Sequence, residues 1–316
     1  MARLLRLGTR GSLLARRQAE QVRQALLAAH PDLAVELVII TTHGDRAAEV
    51  PLHLLSGQGA FARAIEEALL AGTIDLAVHS LKDLPAAERP GLLLAAFPPR
   101  EDARDALVSR TRVPLAGLPP HARVATGSPR RAAQLRAVRP DLQIVDIRGN
   151  LDTRLRKLET EGLDALVVAA AGLHRLGLVE RISEVLPTAI CLPAVGQGAL
   201  AVQCRADDTA TRALLAPLDD AATRAAVTAE RALLAALGGG CKVPIAAYAE
   251  HREGQLWLDG LLAAPDGRRL VRDALAGSPD APAALGRALA ARLLAAGGAA
   301  LLAAHQRAPA IEHTTS

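Results

Sequence analysis

Two hydrophobic rhythms take turns along most of this chain: short apolar runs of strand length, and longer stretches with apolar positions three and four residues apart. Residues 4–8 form the first short run, and Ser12 stands as N-cap to 13–29, where Leu13, Leu14, Val22, Ala25, Leu26 and Ala29 suit one helical face. A strand is expected over 35–40. A loop follows over 41–59, with Gly44, Pro51, Gly57 and Gly59, a candidate lid. The pattern then predicts a helix over 60–71, with Phe61, Ile65, Ala68 and Leu69 inward, and a buried strand over 74–79. After this β-α-β-α-β set the order restarts. Strands are expected over 92–97, 106–109, 123–126, 144–147 and 165–170. Helices are expected behind Ser128-Pro129, a strong N-cap and N1 pair, over 151–161, and as a short turn carrying Arg175.

The rhythm changes after Pro187. A turn-rich stretch with Pro193, Gly196, Gln197 and Gly198 leads to a strand over 199–204 that is expected to return to the first sheet, and a helix fills 221–237. Strand-like alternation then appears over 245–249, 256–263 and 270–274, separated by Glu253-Gly254 and Asp266-Gly267. An Ala/Leu helix is expected over 282–304. The chain therefore reads as two α/β domains and a small α+β C-terminal domain. Their expected limits are 1–99 with 199–216, then 100–198, then 217–316.

Charge narrows the function. Of 37 basic residues only Lys82, Lys157 and Lys242 are lysines, against a net charge of +4. Arginine grips carboxylates and phosphates bidentately. Nucleic acid is disfavoured as a partner, because Phe61, Phe97, Tyr248 and Trp257 are the only aromatics and make no stacking platform. No membrane partner is expected either, since no apolar run reads as long enough to span a bilayer. Arg3, Arg6 and Arg10 interrupt any signal-peptide core, so the expected location is cytoplasmic. Cys191, Cys204 and Cys241 form no Cys-x-x-Cys pair, and no metal site is expected.

Position sharpens this. Ligands of open α/β sheets bind beyond the carboxyl ends of the strands. Arg10, Lys82 and Asp83, Arg130 and Arg131, Arg148, and Arg175 all fall there, separated by whole β-α units. Arg130 and Arg131 would sit in the first turn of a helix, where the macrodipole disfavours cations, so an anion held by that turn is expected. Asp83 reads as the lone acid of this basic group, ionised beside Lys82 and able to accept a proton or steady a cation. His79 and His174 read as structural. Gly238-Gly239-Gly240-Cys241-Lys242-Val243-Pro244 frames a cysteine between a helix and a strand, in a loop that could approach a bound group closely.

These residues carry a family resemblance. The segment Ala77-Val78-His79-Ser80-Leu81-Lys82-Asp83-Leu84-Pro85 resembles a signature of the porphobilinogen deaminases, or hydroxymethylbilane synthases. So do Thr9-Arg10-Gly11-Ser12, Arg148-Gly149-Asn150 with Thr153-Arg154-Leu155, Leu192-Pro193-Ala194-Val195-Gly196-Gln197-Gly198, and Gly239-Gly240-Cys241-Lys242-Val243-Pro244. The matches keep the family's order from about residue 4 to 305.

The resemblance implies two lobes like periplasmic binding proteins with a third domain beside their cleft. It implies head-to-tail joining of four porphobilinogen units with loss of ammonia, on a dipyrromethane cofactor tied by a thioether to Cys241, and release of hydroxymethylbilane by water. By residue matching, Asp83 is catalytic: it steadies the cation left when ammonia departs and handles protons. Arg10, Ser12, Lys82, Arg130, Arg131, Arg148, Arg154 and Arg175 bind carboxylates of cofactor or substrate, with Thr126, Ser128 and Gln197 behind them. A monomer is expected, handing its product to uroporphyrinogen-III synthase. Two departures stand out: Gln58 where the family commonly has lysine, and Gly127-Ser128-Pro129 where it usually has Ser-Ser-Leu. The rival reading is a non-enzymatic, two-lobed anion-binding module, which leaves the glycine-framed cysteine unexplained. A cysteine hydrolase is disfavoured, since no histidine falls in a dyad motif.

Overall fold

A computed structural model of the 316-residue chain describes residues 3–41, 62–238 and 243–307. Its strands are β1 (Arg3–Thr9), β2 (Leu33–Ile39), β3 (Leu76–Ser80), β4 (Leu92–Ala96), β5 (Asp105–Ser109), β6 (Arg123–Ala125), β7 (Gln143–Val145), β8 (Ala165–Ala169), β9 (Glu184–Val185), β10 (Leu200–Arg205), β11 (Ile245–Arg252), β12 (Gln255–Ala263) and β13 (Leu270–Gly277). The α-helices are α1 (Leu13–Ala29), α2 (Arg63–Leu70), α3 (Pro129–Val138), α4 (Leu151–Thr160), α5 (Ala170–Arg175), α6 (Thr209–Leu215), α7 (Ala221–Ala236), α8 (Pro282–Leu293) and α9 (Ala299–Arg307).

Two five-stranded sheets share one plan. The first runs β2-β1-β3-β10-β4, the second β7-β6-β8-β5-β9. In each, three strands are parallel and the fourth is antiparallel to its neighbours. The chain crosses between the sheets twice, through 97–104 and 186–199, and β10 returns to the first sheet as expected. The third sheet is antiparallel, β11-β12-β13, and packs against α7 and α8 through Leu233, Leu258, Leu262, Leu289 and Leu293. Two α/β lobes and a small α+β unit are thus present. The lobes have separate cores, around Leu5, Leu7, Val22 and Val202 in one and Leu158, Leu163, Leu166 and Leu173 in the other.

Local chemistry sets the helix starts. Ser12 accepts from the Ala15 N–H at 3.3 Å, and Ser128 from the Arg131 N–H at 3.4 Å with Pro129 beside it. The expected helix over 60–71 is present as α2, within the described residues. Other expectations change. The expected 282–304 helix is broken at Gly297, whose φ of 110° separates α8 from α9. The stretch Pro282–His305 is also long and apolar enough, by length and composition, to cross a membrane, contrary to the sequence reading; its inner face, with Leu285, Leu289 and Leu293, is buried in the core of the C-terminal unit. Finally, α6 and β9 were not anticipated: α6 is short and capped by Asp208, and β9 has two residues. The candidate lid with Gln58 lies outside the described residues, as do Cys241 and Lys242.

Candidate active site

The carboxyl ends of β1, β3, β6, β7 and β8 deliver most of the expected site residues. Arg10 and Ser12 follow β1. Lys82 and Asp83 lie in a 3-10 turn, Leu81–Asp83, directly after β3. Thr126 and Ser128 follow β6, with Arg130 and Arg131 in the first turn of α3. Arg148 follows β7, Arg154 lies in α4, and Arg175 closes α5 behind β8. Gln197 comes from the second crossover. Turn geometry there requires glycine: Gly196 has φ 69°, and a Cβ would lie 2.7 Å from Leu81. Gly198, at φ 85°, would meet the Glu101 carbonyl of the first crossover.

Electrostatics tie the set together. Burial lowers the Arg154 guanidinium to about 10, helped by Arg131 and Arg148, with Asp83 and Asp146 acting against it. Burial and then Arg131 push the Lys82 ammonium down to about 8, opposed by Asp83 and Asp105. Lys82, Asp83, Arg131, Arg148 and Arg154 therefore share one neighbourhood, with the Asp83 side exposed. His79 is buried, donates or accepts at 3.1 Å with Gln203, and is pushed down to about 4 by burial, with Arg10 adding to the effect. It stays neutral at ordinary pH.

Several cations of this set are held by neutral oxygens. Arg154 donates to the Gly149 carbonyl at 2.7 Å and Lys82 to Gln197 Oε1 at 3.3 Å. Arg175 donates to the Gly198 carbonyl at 2.7 Å, while its buried Nε has no hydrogen-bond partner, and burial lowers its pKa. Arg148 does have an acid, Asp146, at 3.0 Å.

Arg130 and Arg131 meet an acid of the protein itself. Both are buried, and the anion they hold is the protein's own Asp105, which is fully buried and which the sequence reading passed over. Arg130 reaches Asp105 Oδ2 at 2.7 Å and the Leu192 carbonyl at 2.6 Å; Arg131 reaches Asp105 Oδ1 through Nε at 2.8 Å. The two guanidinium groups hold the Asp105 carboxyl well below the usual range, against the opposing effect of burial. Asp83 is therefore not the lone acid of the group. The signal for Asp105 was in the sequence: an acid opening the apolar run Ala106-Leu107-Val108. Cys191 donates to the same carboxylate at 3.2 Å, and burial raises its thiol to about 12, so it acts as a structural donor.

Two further acids went unread. Glu230 of α7, fully buried, accepts from Arg100 at 2.6 and 3.2 Å, from the Gly196 N–H at 2.7 Å and from the Ala249 N–H at 2.9 Å. It thereby joins both crossovers to the C-terminal sheet. Glu101 meets His174 at 3.0 Å, an acidic partner far away in sequence. The Gly127 departure also has a cause: a Cβ there would lie 2.6 Å from the Ile147 carbonyl. Among the described residues, no group of three or more His, Cys, Asp or Glu side chains is arranged to hold a metal ion.

A dipyrromethane, two pyrroles each with an acetate and a propionate, suits this donor set. Lys82, Arg154 and Arg175 are desolvated cations held by neutral oxygens, and Arg175 Nε is an orphaned donor. Known proteins point the same way. Residues 5–213 match the family profile described as porphobilinogen deaminase, dipyromethane cofactor binding domain, and residues 224–295 match the porphobilinogen deaminase C-terminal domain. The porphobilinogen deaminase of Roseiflexus castenholzii is 54% identical over 303 residues, 96% of this chain and 100% of the relative. That of Syntrophotalea carbinolica is 53% identical over 300 residues, 95% of each. Among solved structures, the methionine-binding protein MetQ has a TM-score of 0.42 and 15% identity, covering 69% of this chain and 91% of that one, too distant to add to what the sheets themselves display. With signature segments, donor set and full-length relatives in agreement, this chain belongs to the porphobilinogen deaminase family.

Proposed function

We propose that this chain joins four porphobilinogen molecules head-to-tail, releasing ammonia at each addition, and frees the linear tetrapyrrole hydroxymethylbilane by hydrolysis. The observation that carries the reading is the clustering of Arg131 and Arg148 near Arg154, and of Arg131 near Lys82, with the exposed carboxylate of Asp83 close to both Lys82 and Arg154. Substrate and product are rich in carboxylates, and Arg154 and Arg175, which among the described residues donate only to carbonyl oxygens, gain most from binding them. Asp83 faces this group from the end of β3, where it steadies the positive charge that develops as ammonia leaves and takes the proton lost when the new carbon–carbon bond forms. Lys82, Arg154 and Arg175, with Arg10, Arg148 and the buried Arg130 and Arg131, whose two charges exceed that of Asp105 by one, hold carboxylates. Ser12, Thr126, Ser128 and Gln197 set backbone and side-chain donors around them. The dipyrromethane, when bound through Cys241, supplies the pyrrole carbon to which the first unit is joined.

The same reading divides the chain at the crossovers into 1–99 with 199–216, 100–198 and 217–316, supported by the strand order of the three sheets. It takes the protein to be a cytoplasmic monomer whose product passes to uroporphyrinogen-III synthase. The deciding experiment is porphobilinogen turnover paired with intact mass. Consumption of porphobilinogen, with a polypeptide heavier than its translated sequence by one dipyrromethane and a Cys241→Ser variant without that increment, is the expected result. A chain that binds anionic pyrroles, carries no adduct and consumes nothing would be an anion-binding module instead.

A further inference from the structure

Asp105 does more than neutralise two buried arginines. Its carboxylate also accepts from Gln197 Nε2 at 2.8 Å, and the same amide nitrogen donates to the Ala103 carbonyl at 2.7 Å. Two acceptors therefore fix which end of the Gln197 amide points inward. The other end, Oε1, lies 3.3 Å from Lys82 Nζ and 3.3 Å from the Arg131 guanidinium, which itself sits 2.7 Å from Asp105. Every group in this chain is almost or half buried; Gln197 is 1% exposed. Resting on the deaminase reading, we propose that Asp105 is a positioning residue of the active site: it fixes the Gln197 amide and the Arg131 guanidinium so that an oxygen, and not an N–H, meets the Lys82 ammonium.

The consequence is electrostatic as well as steric. Lys82 is faced by Asp83 from its own turn, by Arg130 and Arg131 from α3, by Asp105 from β5 and by Gln197 from the second crossover. With Asp105 ionised, the Arg130–Arg131–Asp105 cluster presents one net positive charge to the lysine; without it the cluster presents two. An asparagine can turn its oxygen toward Arg130 or toward Arg131 and Gln197, never toward both. When the oxygen faces Arg130, the Gln197 amide keeps only the Ala103 carbonyl to orient it, so the acceptor offered to Lys82 is held less firmly, and in either orientation the compensating charge is lost. The protonated form of Lys82, the one that binds a carboxylate, is disfavoured.

The chain has three lysines, so selective ¹³C labelling at the lysine ε-carbon gives a spectrum simple enough to follow Lys82 alone, with Lys157→Arg and Lys242→Arg assigning the other two signals. In Asp105→Asn the Lys82 titration midpoint is expected to fall by about one unit or more relative to wild type. KM for porphobilinogen at pH 8 is expected to rise about tenfold with a smaller change in kcat, and the penalty to shrink at pH 6.5, where Lys82 is protonated in both proteins. Asp105→Glu, which keeps the charge, is expected to lie between the two. An unchanged midpoint, or a KM penalty equal at both pH values, overturns the proposal. Should Asp105→Asn fail to fold, Gln197→Met leaves the Asp105–arginine cluster in place and removes the same oxygen. Its Lys82 midpoint is expected to fall, and an unmoved one overturns the proposal equally. Because the titration needs no turnover, a wild-type protein that consumes no porphobilinogen would sink the deaminase reading without touching this one.

Discussion

Arg100 and Arg175 grip neighbouring carbonyls of one crossover turn, Gln197 O at 2.8 Å and Gly198 O at 2.7 Å, yet their remaining donors are used in opposite ways. Arg100 closes both terminal nitrogens on Glu230, with Tyr248 beneath its guanidinium at 5.2 Å. Arg175 makes no comparable closure and leaves Nε buried without a partner. A paired buried charge locks architecture, and removing one member strands the other in a low-dielectric setting. A buried charge held only by neutral oxygens is poorly compensated by the protein, and a ligand carboxylate completes it. This one distinction sorts the arginines better than their positions along the chain do.

The comparison can be broken at its paired end first. Glu230→Ala leaves Arg100 and two backbone N–H groups without their acceptor, and should cost about 3–5 kcal/mol in chemical denaturation. A loss below ~1 kcal/mol would mean that the junction is not held by charge. Asp83→Ala, at an exposed position, should leave the melting curve in place while lowering turnover on the order of 10²–10³-fold, the scale of a lost electrostatic stabiliser. Arg175→Met should shift stability by no more than about 1 kcal/mol in either direction, since it removes a desolvated charge along with one hydrogen bond. Its signature should be a KM raised about tenfold.

Lysine 82 supplies a prediction with two signs. Its folded pKa of about 8 lies below the ordinary lysine value of 10.5, so between these limits the unfolded chain binds more protons. Stability in the ligand-free protein should therefore gain from Lys82 as pH rises from about 8 toward 10.5. Carboxylate affinity should move the other way, weakening as pH passes through about 8. Isothermal titration with a pyrrole carboxylate, set beside melting curves across the same range, would reveal whether the two trends oppose. The smallest effect expected is that of Gly127→Ser: it restores the family's usual hydroxyl but forces the Ile147 carbonyl to shift, for a loss of about 1 kcal/mol in melting experiments with turnover nearly unchanged.

The layout of the fold was legible because periodicity and caps are local. Ser12 and Ser128-Pro129 mark helix starts, and the strand over 199–204 was readable as an apolar run behind a glycine-rich turn. The strand ends then gave the site residues by rule, since β-α units place them on one side of each sheet. Partners were harder to read. Asp105 lies 25 residues before Arg130, and Glu230 lies 130 residues after Arg100. No period links them, and only the assembled sheets bring them within hydrogen-bond reach. For the same reason the internal carboxylate between Arg130 and Arg131 was not legible from their positions at a helix start. The Gly297 break was hidden by composition, because an Ala/Leu stretch keeps its helical character on both sides of it.

The strand order carries an implication for how the protein is made. The second sheet uses only β5 to β9, one continuous stretch from residue 105 to 185, so it can close as soon as that stretch has left the ribosome. The first sheet begins at residue 3 but lacks β10, the strand between β3 and β4, until residue 205 has been synthesised. The half that emerges first is completed second, and through that interval its N-terminal strands must wait with unpaired edges.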